Sequence, residues 1–126
     1  MLSHKNLLSN AQSLTDLWQI TAADRLIHAL PVFHTHGLFV AMNTSLLAGA
    51  QVRFMAAFDA GVILEEIPAA TMLMGVPTFY TRLLDDARLT PALCKNMRLF
   101  VSGSAPLLAE THPAFEARSG HRILER

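Results

Sequence analysis

Four short stretches carry residue types that can do chemistry. The first is Ser102-Gly103-Ser104-Ala105-Pro106. A run of small residues between a strand and a helix lets a flat ring lie close to the backbone. The same run also makes a plain turn in which Ser102 or Ser104 caps the helix. A nucleophilic serine is the poorest reading, because the run lacks the G-x-S-x-G elbow and no His and Asp stand at informative positions. The second stretch is His34-Thr35-His36-Gly37. Residues i and i+2 lie about 200° apart around a helix, so one helix cannot aim both imidazoles at one ion. No carboxylate or cysteine accompanies them, so no metal site is expected. His34 at a strand-to-helix turn can line a pocket or donate to a carboxylate without ionising. It can equally be satisfied by backbone at a helix start. The third is Arg82, beside the apolar Phe79 and Leu83. A buried Arg is costly unless paired. A carboxylate ligand would supply a bidentate partner, and so would Asp85 or Asp86 at the surface. The fourth is the terminal pair Glu125-Arg126.

These residues are positioned by alternating elements. Asn6 to Trp18 carries Leu7, Leu8, Ala11, Leu14, Leu17 and Trp18 at helical spacing, with Ser3 as a cap. Arg25 to Leu30 reads as a strand stopped by Pro31. His36 to Leu47 reads as a very apolar helix that Gly49 terminates. Gln51–Met55 reads as a strand, and Asp59 caps a short helix through Ile67. Thr71–Val76 is a strand, and Pro77 opens a helix to about Asp86. Arg98–Val101, Leu107–Arg118 and His121–Leu124 follow as strand, helix and strand. Apolar strands separated by helices predict an α/β fold with a mostly parallel sheet. The last strand runs off the chain and the first helix has no strand before it, so both ends are expected to be cuts at a ligand edge.

The 126 residues suffice for one domain of ordinary size. Hydrophobic residues make up 52% and charged residues 16%, which is rich for a domain that buries only about two-thirds of its unfolded surface. A partner surface, or a place within a larger core, is implied. Formal net charge is zero and no basic block exists, so neither nucleic acid nor an acidic membrane is an expected partner. The single cysteine, Cys94, excludes an intramolecular disulfide and fits a reducing compartment. No apolar run reaches the ~18 residues of a membrane span, and no signal-peptide layout opens the chain. A cytoplasmic protein is expected.

Three stretches together carry a family resemblance: Leu30-Pro31-Val32-Phe33-His34-Thr35-His36-Gly37, Met74-Gly75-Val76-Pro77-Thr78-Phe79-Tyr80-Thr81-Arg82, and Leu99 to Leu107 followed by Gly120 to Arg126. In this order and spacing they resemble the large N-terminal domain of the adenylate-forming acyl- and aryl-CoA synthetase superfamily. The His-Thr-His-Gly form, with Tyr-Thr-Arg and the closing Glu-Arg, most resembles malonyl-CoA synthetases. The resemblance implies a partial AMP-binding domain over residues 1–126. The family's phosphate loop would precede Met1, and its Tyr-Gly-x-Thr-Glu motif would follow Arg126.

The implied activity is an acid–CoA ligase that uses ATP, CoA and Mg2+. A small carboxylate, malonate foremost, attacks the α-phosphate, and the CoA thiol then displaces AMP. Positioning and charge stabilisation carry such steps, so no catalytic residue is expected within this stretch. The resemblance implies that His34, Arg82, Ser102 and Arg126 bind substrate. It places Gly103, Ser104, Ala105 and Glu125 at the nucleotide. Arg82 and Arg126 match arginines that malonyl-CoA synthetases are understood to use on the second carboxylate. Implied partners are the carboxylate, ATP, CoA and the remainder of a parent enzyme. Two other readings stay open: a non-catalytic fragment and an interaction module.

Overall fold

The computed structural model describes residues 1–126. Five short strands form one sheet: β1 Arg25–His28, β2 Gln51–Phe54, β3 Met72–Gly75, β4 Leu99–Ser102 and β5 Ile123–Glu125. They pair in the order β2-β1-β3-β4-β5, and every pairing is parallel. Registers run Leu26 to Met72, Met72 to Leu99 and Phe100 to Ile123. The helices are α1 His4–Leu17, α2 Asn43–Ala48, α3 Ala60–Glu66, α4 Pro77–Leu84 and α5 Thr111–Ser119. Right-handed crossovers set the helix joining β1 to β2 on one face and those after the reversal on the other. Accordingly α1 packs with α2, while α4 packs with α3 and α5. Both faces are covered, which is why β3 and β4 are buried at every residue. β2 is an edge and stays largely exposed.

The expected alternation of helix and strand holds along the whole chain, and the bounds differ for physical reasons. Ser3 caps α1 reciprocally: its Oγ accepts the Asn6 N–H at 3.2 Å, and Asn6 Oδ1 accepts the Ser3 N–H at 2.9 Å. The helix therefore starts at His4, two residues before its apolar pattern. Asp59 caps α3 through the Val62 N–H at 3.0 Å. The expected helix over His36–Leu47 is π-helical from His36 to Met42 and α-helical only from Asn43. The expected start of α5 at Leu107 moves to Thr111: residues 107 to 110 stay outside the helix, and the Leu107 N–H donates to the Glu125 carboxylate.

The core is one cluster, and its largest fully buried side chains include Tyr80, Phe100 and Phe115. Their rings meet edge to face, with Tyr80–Phe115 centroids at 5.3 Å and Phe100–Phe115 at 5.0 Å. The Tyr80 hydroxyl donates to the Val101 carbonyl, which satisfies the only polar atom this trio brings inside.

The amino ends of the three central strands are tied by one network. Asp24, Thr71 and Arg98 each stand one residue before β1, β3 and β4. The Asp24 carboxylate accepts from Arg98 Nε at 2.8 Å, from Arg98 Nη2, from Thr71 Oγ1 at 2.7 Å and from the Thr21 N–H at 3.0 Å. Arg98 also donates to the Trp18 carbonyl at 2.9 Å. Burial pushes the Asp24 carboxyl up, but the hydrogen bonds from Arg98, Thr21 and Thr71 and the Arg98 charge outweigh it. Together they hold it at about 2, below the usual 3.8. This share of stability is complete above about pH 4 and is lost as pH falls toward 2. Urea midpoints measured down to about pH 2 should fall more steeply in the native chain than in Asp24→Asn. Arg98→Met strands a buried carboxylate and should cost about 3 kcal/mol in the same assay at neutral pH.

Candidate active site

The segments after β1, β3 and β4 meet at the carboxyl edge of the sheet. Strand order reverses between β1 and β3, and open α/β sheets bind ligands in the crevice at such a reversal. Two adjoining cavities lie there, of about 290 Å³ and 310 Å³, and both are lined by Thr35, His36 and Ser104. The first continues to Val40, Gly103 and Arg126. The second continues to His34, Pro31 and Val76.

Close backbone approach builds this edge. A Cβ on Gly37 would overlap the Pro31 carbonyl oxygen and lie 3.0 Å from its carbon. The π-helical turn can sit against the loop after β1 only with glycine at this position. A Cβ on Gly103 would lie 3.0 Å from the His36 ring and 3.2 Å from the Arg126 carbonyl oxygen. The sheet ladder continues past the strands here: the Gly103 N–H donates to the Gly75 carbonyl at 3.1 Å, and the Arg126 N–H to the Ser102 carbonyl at 2.9 Å. Ser104 then turns the chain at φ 72, a left-handed conformation unusual for serine.

His36 sits between the two cavities and is buried. Its Nδ1 lies 3.5 Å from Ser104 Oγ, and its Nε2 is buried without a partner. Burial, followed by the charges of Arg126 and His28, depresses its pKa to about 4. Burial lowers His28 as well. Both imidazoles are therefore neutral at physiological pH. Sequence reasoning weighed His36 only as a metal ligand and missed this place. The available signal was a histidine directly before a glycine at a helix start.

The residues singled out from sequence fall into two groups. His34, Gly103, Ser104 and Arg126 line the paired cavities. Arg126 Nη2 donates to Asn10 Oδ1 at 3.0 Å, and burial lowers its pKa. Ser102, Ala105, Glu125 and Arg82 line neither cavity. Ser102 is buried in β4 with its Oγ unpartnered. Ala105 is exposed on the loop. Glu125 Oε1 accepts the Leu107 N–H at 2.7 Å, and its Oε2 lies 3.3 Å from His112 Nε2. Arg82 is exposed, with its guanidinium carbon 5.8 Å above the Phe58 ring. Phe58 stacks on Phe79 at 4.2 Å. The alternative pairing of Arg82 with Asp85 or Asp86 does not form, and Asp86 pairs instead with Arg88 at 2.8 Å. Cys94 is buried, and burial raises its thiol to about 11, far from nucleophilic.

A parallel doubly wound sheet with a small-residue loop, a neutral imidazole and one guanidinium at its reversal point defines an α/β ligand-binding domain. Comparison with known proteins narrows that class. The chain belongs to the AMP-binding enzyme family, whose profile matches residues 1–125. Apo MatB from Rhodopseudomonas palustris is 57% identical, with a TM-score of 0.98 over 100% of this chain and 25% of that chain. A malonyl-CoA ligase solved as a ternary product complex with methylmalonyl-CoA and AMP is 38% identical. Its TM-score is 0.84 over 95% of this chain and 27% of that one. A malonate–CoA ligase of Arabidopsis thaliana is 33% identical over 98% of this chain and 24% of its own length. The chain thus spans about a quarter of the length of the relatives it matches. The fold is that of part of the N-terminal domain of acyl-CoA synthetases. No helix is long and apolar enough to cross a membrane.

Two outcomes follow from this geometry. Gly37→Ala forces the π-helical turn off the Pro31 loop and should cost about 3 kcal/mol in urea unfolding. His36, followed by NMR, should keep a neutral imidazole until pH falls to about 4. The unfolded chain takes up that proton near 6.5, so stability falls as pH drops between the two values.

Proposed function

We propose that this chain is the acid- and nucleotide-binding part of an ATP-dependent acid–CoA ligase whose substrate is malonate or a close dicarboxylate. The observation that carries the reading is Arg126 facing the same cavity as Gly103 and Ser104. One part of that cavity suits a carboxylate and the other a flat ring. In the first step a carboxylate oxygen bonds to the α-phosphorus of ATP, and pyrophosphate leaves. In the second the CoA sulfur bonds to the acyl carbon, and AMP leaves. The chain's own residues bind and orient. Arg126 offers a planar fork to the carboxylate that does not react. Gly103 and Ser104 let the nucleotide ring approach the backbone. His34 lines the acyl side, and neutral His36 closes the cavity between them without adding charge.

Arg82 belongs to this proposal as a second contact for the unreacting carboxylate. Its guanidinium would leave the Phe58 ring to make that contact. Ser102, Ala105 and Glu125 belong to it through the loop they build. Mg2+, which the resemblance implies, is usually held by one or two carboxylates together with substrate phosphates, and no Asp or Glu lines either cavity, so these residues do not hold it by themselves. No step is assigned to it here. The proposed parent supplies the phosphate loop, the motif after Arg126 and the remaining three-quarters of the family's length. A cytoplasmic location is part of the reading and rests on the lone thiol; relatives named as mitochondrial belong to the same family.

The test grafts residues 1–126 over the matching quarter of R. palustris MatB and follows pyrophosphate release with malonate, methylmalonate, acetate and benzoate. Malonate should turn over faster than acetate, and Arg126→Ala should lower malonate kcat/KM more than about tenfold. Faster turnover of acetate by the unmodified graft would defeat the dicarboxylate reading. The second reading is a non-catalytic piece of such an enzyme. Calorimetric titration of the chain with ATP separates the two, because micromolar affinity contradicts the second.

A further inference from the structure

We propose that Glu125 is a positioning residue whose carboxylate clamps the Gly103–Leu107 loop from behind, out of reach of any ligand in the cavity. Four observations place it in that role. Glu125 ends β5 and pairs with Ser102, the residue at which the loop leaves β4. Its backbone is therefore fixed to one end of the loop. Its Oε1 accepts the Leu107 N–H at 2.7 Å, which fixes the other end. Its Oε2 lies 3.3 Å from His112 Nε2, in the first turn of α5, so the carboxylate is braced from the helix side as well. Between these anchors Ser104 holds a left-handed φ of 72, while Ala105 and Pro106 are exposed.

The Leu107 amide shows why a carboxylate stands here. Leu107 buries its side chain, and residues 107 to 110 do not join α5. Its N–H has no helical carbonyl to meet. A hydrogen bond to an ionised carboxylate is about twice as strong as a neutral one, and it satisfies this orphan donor. The clamp decides where the loop crosses the carboxyl edge. It thereby decides where Gly103 and Ser104 meet the cavity they share with His36 and Arg126. The clamp is a property of the unliganded chain. Only its importance for ligand binding rests on the proposed function.

Amide hydrogen exchange by NMR on the full chain without ligand tests it, with the Ile27 and Leu73 amides as reporters of global opening. Glu125→Ala should speed Leu107 exchange roughly tenfold or more relative to those two. Glu125→Gln keeps an acceptor at the same reach and should restore part of the protection. Glu125→Asp keeps the charge but is one methylene short, and should not. Leu107 exchange that is unchanged in Glu125→Ala, or that rises only in step with Ile27 and Leu73, overturns the proposal. If Glu125→Ala does not fold, the Gln and Asp variants decide. Equal Leu107 protection in those two overturns it as well.

Discussion

The Asp24–Arg98–Thr71 network sets the level from which the rest of the sheet is built. Each of the three residues immediately precedes one of the three central strands. A four-residue strand rises only about 13 Å, so a lock at the amino end fixes the height of the carboxyl end to within a residue. Parallel pairing is slightly weaker per residue than antiparallel pairing, and short strands supply few ladder bonds to resist slippage. A one-residue slip would also turn each strand's side chains to the opposite covered face, against helices they do not match. The charged network lies at the end of the sheet away from the cavities. The strand ends around the cavities can therefore be left to small residues and loops without loss of register.

At the carboxyl edge the constraint is steric instead. The π-helical turn lies against the Pro31 carbonyl because Gly37 has no side chain, and Gly103 lies against His36 for the same reason. These approaches bring His36 between the two cavities. They also account for the π-helix. The turn must begin hard against the loop after β1 and yet deliver an α-helix at Asn43 that packs on α1. Widening the helix over His36–Met42 absorbs that mismatch, with the Asn43 N–H reaching back to the Leu38 carbonyl.

Elements whose stability is local were legible in the sequence. The Ser3 and Asp59 caps, the Pro77 helix start and the Gly49 stop each depend on a few neighbouring residues, and each stands where the sequence put it. Apolar runs revealed the parallel sheet, because β3 and β4 are buried on both faces. Features that depend on distant partners were not legible. Apolar spacing does not separate a π-helix from an α-helix when the segment is apolar all round. The start of α5 was misplaced because apolar spacing does not separate residues 107 to 110, which lead into the helix, from the helix itself. The Asp24 network joins residues 47 and 74 positions apart, and no local pattern marks it. At the site, the resemblance pointed to the Gly103–Ser104 loop and Arg126. The importance of His36 over its neighbours emerges only from burial.

Charge at the candidate site is set by strand alternation. Glu125 and Arg126 are adjacent, and opposite charges so close would ordinarily neutralise one another. The Arg126 N–H continues the ladder to the Ser102 carbonyl, so the two residues remain in extended register and their side chains leave on opposite sides. The carboxylate is spent on Leu107 and His112, while the guanidinium faces the cavity. The other cavity neighbours add no charge to compensate it: His36 is held neutral, and Thr35, Val40, Gly103 and Ser104 carry none. Arg126 is exposed, and its one side-chain hydrogen bond goes to the neutral Asn10. The cavity therefore carries one cationic side chain and no acidic side chain in its lining.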